Sequence, residues 1–404
     1  MLFQTMDDKS ECVGIYCDGE LIFDDGKFPK ELTKTWDYAP YLKDIPDIQY
    51  AALYLEGQQV KDVIPEYLQD DWEDVTERLN SYVRSLKIAK VDMSENCIYD
   101  LAPKRFLIDW CETKNNITKF VLKNFEKPKR YEFLLEVRKM LSEISDRRLS
   151  LDKRMMNSFS MGKNQQDRLL KAPPYIRYNQ FGTKTGRLST KKNSFPILTL
   201  KKDYRSAIKP NNDLFIELDF NGAEIRTLLG LLGKDQPAID VHDFHRTNIF
   251  GEEFTRGQAK QVFFAWLYGS RSSDVVKYEK ELEQFYEKEK ILNEFWDGEN
   301  VCTPLGKVIK DVSKHHALNY IVQSTTAELT LLQALKVNRL LQTQSSSSFV
   351  SAIIHDSIII DFSKKDQELF QKIIRLMEST KFGNFVVNIE KGKTLGSMRK
   401  VTNG

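Results

Sequence analysis

The chain is poor in the features that mark several common protein classes. Its 404 residues include only five cysteines, an odd number without CxxC spacing, which argues against a disulfide scaffold or a zinc ribbon. No apolar run reaches the roughly 18 to 20 residues that a membrane helix needs. The N-terminus has no basic segment followed by an apolar stretch, so we expect no secretory signal. These absences predict a cytoplasmic protein, or a viral protein acting in the host cytoplasm, with no membrane partner.

An excess of charge of one sign is also missing. The 60 basic and 58 acidic side chains leave a formal net charge of +2, which does not by itself favour nucleic acid as a partner. Hydrophobic residues make up 41% and charged residues 29%, a balance typical of globular chains, and the length suggests two or three domains. Local patterns therefore have to identify the partner.

Hydrophobic periodicity predicts a mixture of strands and helices. Alternation around Asp18-Gly19 predicts a hairpin, because Asp-Gly accepts the positive φ angles of a tight turn. A second strand-like run covers 50–57, whereas 70–90 has the period of an amphipathic helix. Basic helices follow over 99 to about 160, and they are either solvated faces or an arm that contacts phosphates. Farther along the chain, strands are predicted in 214–220 and 351–362, and helices in 258–267, 317–341 and 367–377.

Two aspartates stand in unusually apolar surroundings. Asp219 lies near the end of the run LFIELDF, and Asp356 is flanked by isoleucines in AIIHDSIII. A carboxylate in such a stretch has to be paired, protonated or metal-bound, because burying a bare charge is costly. Asp219 alone fits an ordinary residue at a strand end, but the position of Asp356 favours a hairpin tip or a metal site. Two carboxylates from separate strands can hold a pair of Mg²⁺ ions for phosphoryl transfer.

The helix predicted between these aspartates carries a second candidate site. Four of its side chains are spaced by four residues and form one stripe: Arg256, Lys260, Phe264 and Tyr268. Gly269 is suited to end the helix. An ordinary amphipathic helix is the alternative, although a core-facing stripe would not begin with two cations. Two cations followed by an aromatic ring suit a nucleoside triphosphate, with the cations at the phosphates and the ring against the base.

In this order, the segments resemble those of the DNA polymerase I family, also called family A. The family's first catalytic motif, DYSQIELR, corresponds to 219–226, its helix motif RxxxKxxxFxxxYG to 256–269, and its HDE motif to His355-Asp356-Ser357. Weaker matches are TKTGRLST at 183–190, VHDFHRTNIFG at 241–251 and LNYIVQSTTAE at 318–328. The resemblance covers about residues 100 to 400.

The resemblance implies an α/β (α+β) fold shaped like a right hand. A palm with an antiparallel sheet, helical fingers and a helical thumb would follow a small N-terminal α/β domain. The implied bounds are 1–98 for the N-terminal domain, 99–170 for the thumb, 171–240 and 319–404 for the palm, and 241–318 for the fingers. The implied function is template-directed addition of dNTPs to a primer 3′-hydroxyl with two Mg²⁺ ions, or Mn²⁺ in their place, in DNA replication or repair.

The resemblance also implies a role for each matched residue. Asp219 and Asp356 would be the catalytic residues that bind the metal ions. Six residues would bind the nucleotide: Arg256 and Lys260 at the triphosphate, Phe264 against it, Tyr268 beneath the templating position, His242 near the phosphates, and Glu224 as the gate against a ribose 2′-hydroxyl. Four residues would contact primer–template DNA: Arg187, Asn319, Gln323 and His355.

Some matched positions depart from the family. Ser357 replaces the glutamate of HDE, and Asn221-Gly222-Ala223 replaces Ser-Gln-Ile in the first motif. These departures keep open a catalytically altered protein that only binds primer–template DNA. A single-subunit RNA polymerase is another alternative, and Glu224 and Phe264 argue against it.

Residues 1–98 are too few for a whole proofreading exonuclease domain. Asp18-x-Glu20 has the spacing of exonuclease metal ligands, and Tyr67 with Asp71 fits a later pattern of such domains. The predicted hairpin already explains Asp18, so we expect a remnant or a replacement domain without proofreading activity. A separate exonuclease or a processivity protein is then a candidate partner.

Overall fold

The chain folds into two compact units, Met1–Asp146 and Arg147–Gly404. The computed structural model describes residues 1–8, 11–32, 34–35, 49–58, 60–93, 96–270 and 272–401. The division between the units falls inside the segment 99–170 that is predicted as the thumb. The domain bounds stay predictions.

The described part of the first unit combines a small antiparallel sheet with helices. Its strands are β1 (Phe3–Asp8), β2 (Glu11–Cys17), β3 (Glu20–Ile22), β4 (Lys34–Thr35) and β5 (Gln49–Tyr50). Its helices are α1 (Ala51–Tyr54), α2 (Gln69–Ile88), α3 (Ile98–Leu101), α4 (Lys104–Asn124) and α5 (Tyr131–Asp146). Strands β1, β2 and β3 pair in that order, and β4 and β5 form a short parallel pair.

The hairpin predicted at Asp18-Gly19 is confirmed. Cys17 of β2 pairs with Glu20 of β3, so the turn has two residues. Their φ angles are 49° and 87°, the positive values that a tight hairpin turn requires and that Asp-Gly tolerates.

Packing decides the structure of the next two segments. The strand predicted over 50–57 is wrong, because helix α1 begins at Ala51, which is buried in one cluster with Ile117 of α4. A short apolar run does not distinguish a strand from a buried helix, so the sequence pattern alone was ambiguous. The amphipathic helix predicted over 70–90 is confirmed as α2.

The second unit is built around a five-stranded antiparallel sheet. The strands of the whole unit, inside and outside this sheet, are β6 (Ser150–Leu151), β7 (Tyr178–Asn179), β8 (Ser189–Thr190), β9 (Ile208–Lys209), β10 (Leu214–Phe220), β11 (Val301–Cys302), β12 (Val308–Ile309), β13 (Phe349–Ile354), β14 (Ser357–Phe362), β15 (Ser379–Thr380), β16 (Gly383–Asn384), β17 (Val387–Gly392) and β18 (Arg399–Lys400). Its helices are α6 (Lys153–Asn157), α7 (Lys163–Lys171), α8 (Ala223–Leu231), α9 (Val241–His245), α10 (Arg256–Leu267), α11 (Ser273–Tyr286), α12 (Lys288–Phe295), α13 (Lys314–Thr343) and α14 (Phe370–Glu378). The order of strands in the large sheet is β13-β14-β10-β17-β18.

The register of this sheet places Asp219 and Asp356, the two aspartates in apolar surroundings, at the same end of the strands. Asp219 near the end of β10 pairs with Ser357 of β14 on one side and with Asn388 of β17 on the other. Strands β13 and β14 form a hairpin whose two-residue turn is His355-Asp356. Because Asp356 immediately precedes Ser357, it lies beside Asp219, and the hairpin tip predicted for Asp356 is confirmed.

Helices α8 to α13 form a buried core beside the sheet. Phe263 and Trp266 of α10 pack against Tyr286 of α11. The 30-residue helix α13 contacts α8, α14 and β13. The helices predicted over 258–267 and 317–341 are confirmed as α10 and α13. Among the described helices, none is long and apolar enough to cross a membrane.

Candidate active site

Asp219 and Asp356 lie side by side at the ends of neighbouring strands, and the charge of Asp356 acts on Asp219. Asp219 is half-buried, and Asn388 donates a hydrogen bond from Nδ2 to its Oδ2 at 3.3 Å. Burial first, and the charge of Asp356 second, raise the pKa of Asp219 to about 7, against the effect of the Asn388 bond. Neighbouring carboxylates that disfavour each other's charge are stabilised by a cation. The structure thus brings these residues together, and their metal binding stays a prediction.

Ser357, which replaces the glutamate of the family motif, contacts a carboxylate on the neighbouring strand. Its hydroxyl donates to Glu217 Oε1 at 3.0 Å. Glu217 lies two residues before Asp219 and therefore on the same face of β10. These two carboxylates line a cleft of about 520 Å³, and Glu390 and Arg256 are among the other residues that line it. Sequence reasoning missed Glu217, because its contact with Ser357 depends on the register between two strands.

Helix α10 presents the predicted stripe on its accessible face. Arg256 and Lys260 are exposed and Phe264 is half-buried, whereas Phe263 and Trp266 on the other face are almost completely buried. The ring of Phe264 stacks on that of Tyr268, with centroids 5.8 Å apart and planes inclined by 21°. The helix therefore uses its apolar face for the core and keeps its cations and stacked rings available to a ligand.

Both ends of α10 obey local capping rules. Thr255 and Gln258 form a capping box at the start. At the other end Gly269 has a φ of 78°, and the N–H groups of Gly269 and Ser270 close a Schellman motif on the last turn. The prediction that Gly269 ends this helix is confirmed. The motif holds Tyr268 at the end of the stripe.

Four predicted site residues form one cluster: Glu224, Arg187, Tyr268 and Gln323. Glu224 lies in the first turn of α8 and is only 9% exposed. Arg187 forms an ion pair with its Oε1, and the Tyr268 hydroxyl donates to its Oε2 at 2.6 Å. Burial first, and the bond to Glu224 second, raise the pKa of Tyr268 to about 12, while a hydrogen bond with Gln323 lowers it. The phenol therefore keeps its proton near neutral pH and locks the carboxylate in place.

His242 is buried beside the stripe. It is 2% exposed, and its ring centroid lies 6.1 Å from that of Phe264. Burial lowers the pKa of His242 to about 4, so the ring is neutral near pH 7. Its Nδ1 has no hydrogen-bond partner within the described ranges, which leaves a polar atom for a ligand oxygen or water. Its predicted contact with phosphates stays a prediction.

Two residues predicted to contact DNA lie outside these clusters. His355 is exposed in the β13–β14 turn with a φ of 57°. Asn319 is half-buried on α13, one helical turn before Gln323, and its Oδ1 has no hydrogen-bond partner in the described part of the chain. Contact with DNA stays a prediction for both residues, as it does for Arg187 and Gln323.

We expect the second unit to lose stability in acid because of His245. This ring is fully buried, stacks on Phe263 at 4.7 Å and is hydrogen-bonded to Tyr286. Burial lowers the pKa of His245 to about 3, whereas an unfolded histidine titrates near ~6.5. The folded state then binds fewer protons than the unfolded state between these values. The contribution of the neutral His245 ring to the free energy of unfolding is fully present above about pH 6.5. It decreases below that pH, and about 2 kcal/mol is lost at pH 5.

Urea denaturation at pH 7 and pH 5 measures this effect. In His245→Gln the loss between the two pH values should be about 2 kcal/mol smaller, because the titrating ring is gone. The exposed His316 provides the matched control, since His316→Gln should retain the full loss. Equal losses in all three proteins would contradict the prediction.

Comparison with known proteins identifies the relatives of this chain. No protein-family model matches it. DNA polymerase I of Aquifex aeolicus is 23% identical over 353 residues, which cover 75% of this chain and 58% of that protein. DNA polymerase I of Chloroflexus aurantiacus is 21% identical over 278 residues, which cover 57% of this chain and 30% of that protein. The chain is similar to DNA polymerase I over three quarters of its length. It spans just over half the length of the first of these DNA polymerase I relatives and about a third of the second.

The fold agrees with this relationship. The POL domain of Pol1 from M. smegmatis, solved in complex with DNA primer-template and dNTP, has a TM-score of 0.66 to this chain at 13% sequence identity. The match covers 98% of this chain and 96% of that domain. Both the resemblance to DNA polymerase I and the predicted right-hand polymerase fold are confirmed.

Proposed function

We propose that the chain is a template-directed DNA polymerase that joins dNTPs to the 3′-hydroxyl of a primer. The observation that carries this proposal is that helix α10 connects the cleft at Asp219 with the cluster around Glu224. Arg256 at the start of the α10 stripe lines the same cleft as Asp219, and Tyr268 at its end bonds to Glu224. Helix α10 thus carries groups suited to a triphosphate and a base, with one end at the cleft of Asp219 and the other at Glu224, a group suited to a sugar. The curated relatives named DNA polymerase I support the proposal.

The residues fit two Mg²⁺ ions, with Asp219 and Asp356 as the protein ligands. Mg²⁺ prefers oxygen ligands and is commonly held by one or two carboxylates together with substrate phosphates. No three His, Cys, Asp or Glu side chains of the described residues form a metal site by themselves, so phosphates and water would supply the other ligands. Bound ions would promote ionisation of the primer hydroxyl and stabilise charge on the leaving pyrophosphate. Mn²⁺ is an alternative, because it accepts the same oxygen ligands.

The side chains around the cleft would bind and orient the substrates. Arg256 and Lys260 would compensate the charge of the triphosphate, and Phe264 would stack against the nucleotide. Glu224 would occupy the space that a ribose 2′-hydroxyl needs. Primer–template DNA would contact Arg187, Asn319, Gln323 and His355. Positioning and charge compensation are what phosphoryl transfer requires from a protein.

The alternatives are less well supported. A protein that only binds DNA would gain nothing from placing the charge of Asp356 beside the half-buried carboxyl of Asp219, where it raises the pKa of Asp219. An RNA polymerase would have no use for a buried Glu224 held by two partners. Three points stay predictions from the sequence. They are a cytoplasmic location, the lack of a proofreading exonuclease, and a separate exonuclease or processivity protein as a partner.

Primer extension tests the proposed function. A 5′-labelled primer on a longer template should be extended with Mg²⁺ and dNTPs but not with rNTPs. Chelation by EDTA should stop extension, and added Mg²⁺ should restore it. Extension with both nucleotide sets would favour the RNA polymerase, and binding of primer–template DNA without extension would favour the DNA-binding protein. Shortening of the primer without nucleotides would reveal an exonuclease.

A further inference from the structure

Asp240 connects three elements of the candidate active site. It is the N-cap of α9, where its Oδ1 accepts from the backbone N–H of His242 at 2.9 Å and of Asp243 at 3.2 Å. Its Oδ2 accepts from Arg256 Nη2 at 2.7 Å and from Asn221 Nδ2 at 2.6 Å. Four donors from three elements therefore fix this carboxylate in one orientation.

Asn221 ties this carboxylate to the strand that carries Asp219. It follows β10 directly and is 3% exposed. Its Oδ1 accepts from the backbone N–H of Val241 at 2.9 Å and from Arg226 Nη2 at 3.3 Å. Arg226 is itself fully buried and is anchored by backbone carbonyls of the loop before α9. Both polar atoms of the Asn221 amide are engaged, so the side chain has little freedom to rotate.

The backbone around Asn221 is equally constrained. Gly222 has a φ of 63°, a value that favours glycine, and a Cβ at this position would collide with Val241. These contacts explain why Asn221 and Gly222 fit where the family motif has Ser-Gln. The amide at position 221 is long enough to reach Asp240 and Arg226 at once, and the glycine beside it lets the start of α9 approach closely.

We infer that Asp240 is a positioning residue of the nucleotide site, which orients the guanidinium of Arg256 and is itself held by Asn221. The inference rests on the proposed function, because it assigns the oriented Arg256 to a triphosphate. A guanidinium presents five donors in a rigid fork. Asp240 engages Nη2, which leaves the Nη1 and Nε groups for phosphate oxygens. Fixing a half-exposed, flexible arginine before the ligand arrives reduces the entropy that binding costs.

The electrostatics of the cluster agree with this role. Burial alone would raise the pKa of Asp240, but the hydrogen bonds from Arg256 and then Asn221 hold it below its usual value. Asp240 is therefore ionised throughout the pH range of an activity measurement. Its negative charge is compensated by Arg256 and by the N-terminal N–H groups of α9, so it does not repel a triphosphate as a bare carboxylate would.

Asp240→Asn tests the inference in the whole chain. The amide keeps the size of the side chain but removes the charge that orients Arg256. With a dideoxy-terminated primer, the Kd of the complementary dNTP should rise about tenfold, the effect of one charge-assisted hydrogen bond. The Kd of primer–template DNA should not change, and in extension assays KM should rise much more than kcat falls. An unchanged dNTP Kd in an active protein would overturn the inference.

The exchange variant Asn221→Asp with Asp240→Asn separates orientation from folding. It retains one amide and one carboxylate at these two positions, so it should recover the thermal stability that Asp240→Asn loses. It still deprives Arg256 of its anionic partner, so the dNTP Kd should stay raised. Recovery of stability and dNTP Kd together would mean that Asp240 acts only through folding, which would overturn the inference.

Asp243→Asn is the matched control. It makes the same charge change on the same helix, where Asp243 pairs with Arg246 at 3.6 Å. Its dNTP Kd should equal that of the unaltered chain. An equal rise in both variants would mean a general charge effect and would overturn the inference. A parent chain that fails to extend primers would instead count against the proposed function itself.

Discussion

Asp219→Asn and Asp356→Asn are each expected to reduce primer extension on the order of 10³-fold or more, the scale on which single charged groups act in phosphoryl transfer. Each substitution keeps the shape of the side chain and removes a charge that would bind the metal ions. Binding of primer–template DNA should persist, because neither carboxylate attracts phosphates. Single-turnover extension rates, measured beside DNA binding, check both statements.

The thermal stability of Asp219→Asn provides a control that shows whether the variant is folded. Burial and the charge of Asp356 raise the pKa of Asp219 to about 7, so the ionised form is unfavourable in the metal-free protein. Asp219→Asn removes that cost, and its thermal midpoint without Mg²⁺ should equal or exceed that of the unaltered chain at pH 8. Asp213→Asn, at the other end of β10, should extend primers normally. Extension by Asp219→Asn within tenfold of the unaltered rate would contradict the assignment.

Features that depend on a single element could be predicted from the sequence. Asp219 lies on the strand that its apolar neighbours predict, and Asp356 lies in the turn of the predicted hairpin. The stripe from Arg256 to Tyr268 faces outward because the intervening residues fill the core. Each follows from the period of one helix or strand and its capping residues. The resemblance to a family then placed these elements in one fold.

Contacts between segments that are far apart in the sequence could not be predicted in this way. The bond from Ser357 to Glu217 requires the register of β10 against β14, and no pattern within either strand determines that register. The bond from Asn221 to Asp240 joins a strand end to a helix cap across a loop. Helix α1 shows the same limit, since packing against α4 overrode its strand-like composition. The departures from the family motif became interpretable only through these contacts.

Glu224→Ala is expected to let the protein accept ribonucleotides. The carboxylate is buried and held from two sides by Arg187 and the Tyr268 hydroxyl, so it cannot move away from an additional 2′-hydroxyl at low cost. Truncation opens that space, and selectivity for dNTPs over rNTPs should fall about 10²-fold, near the upper range for one pocket contact. The ratio of kcat/KM for dCTP and CTP on the same primer–template measures it.

Two further variants identify the physical basis of this selectivity. Tyr268→Phe removes only the hydroxyl that donates to Glu224, so selectivity should fall less, by about tenfold. Glu224→Gln preserves the volume and one hydrogen-bonding oxygen but removes the charge. If bulk excludes the 2′-hydroxyl, Gln should retain most of the selectivity that Ala loses. Equal losses in Gln and Ala would assign the exclusion to charge, and unchanged selectivity in Ala would show that Glu224 is not the gate.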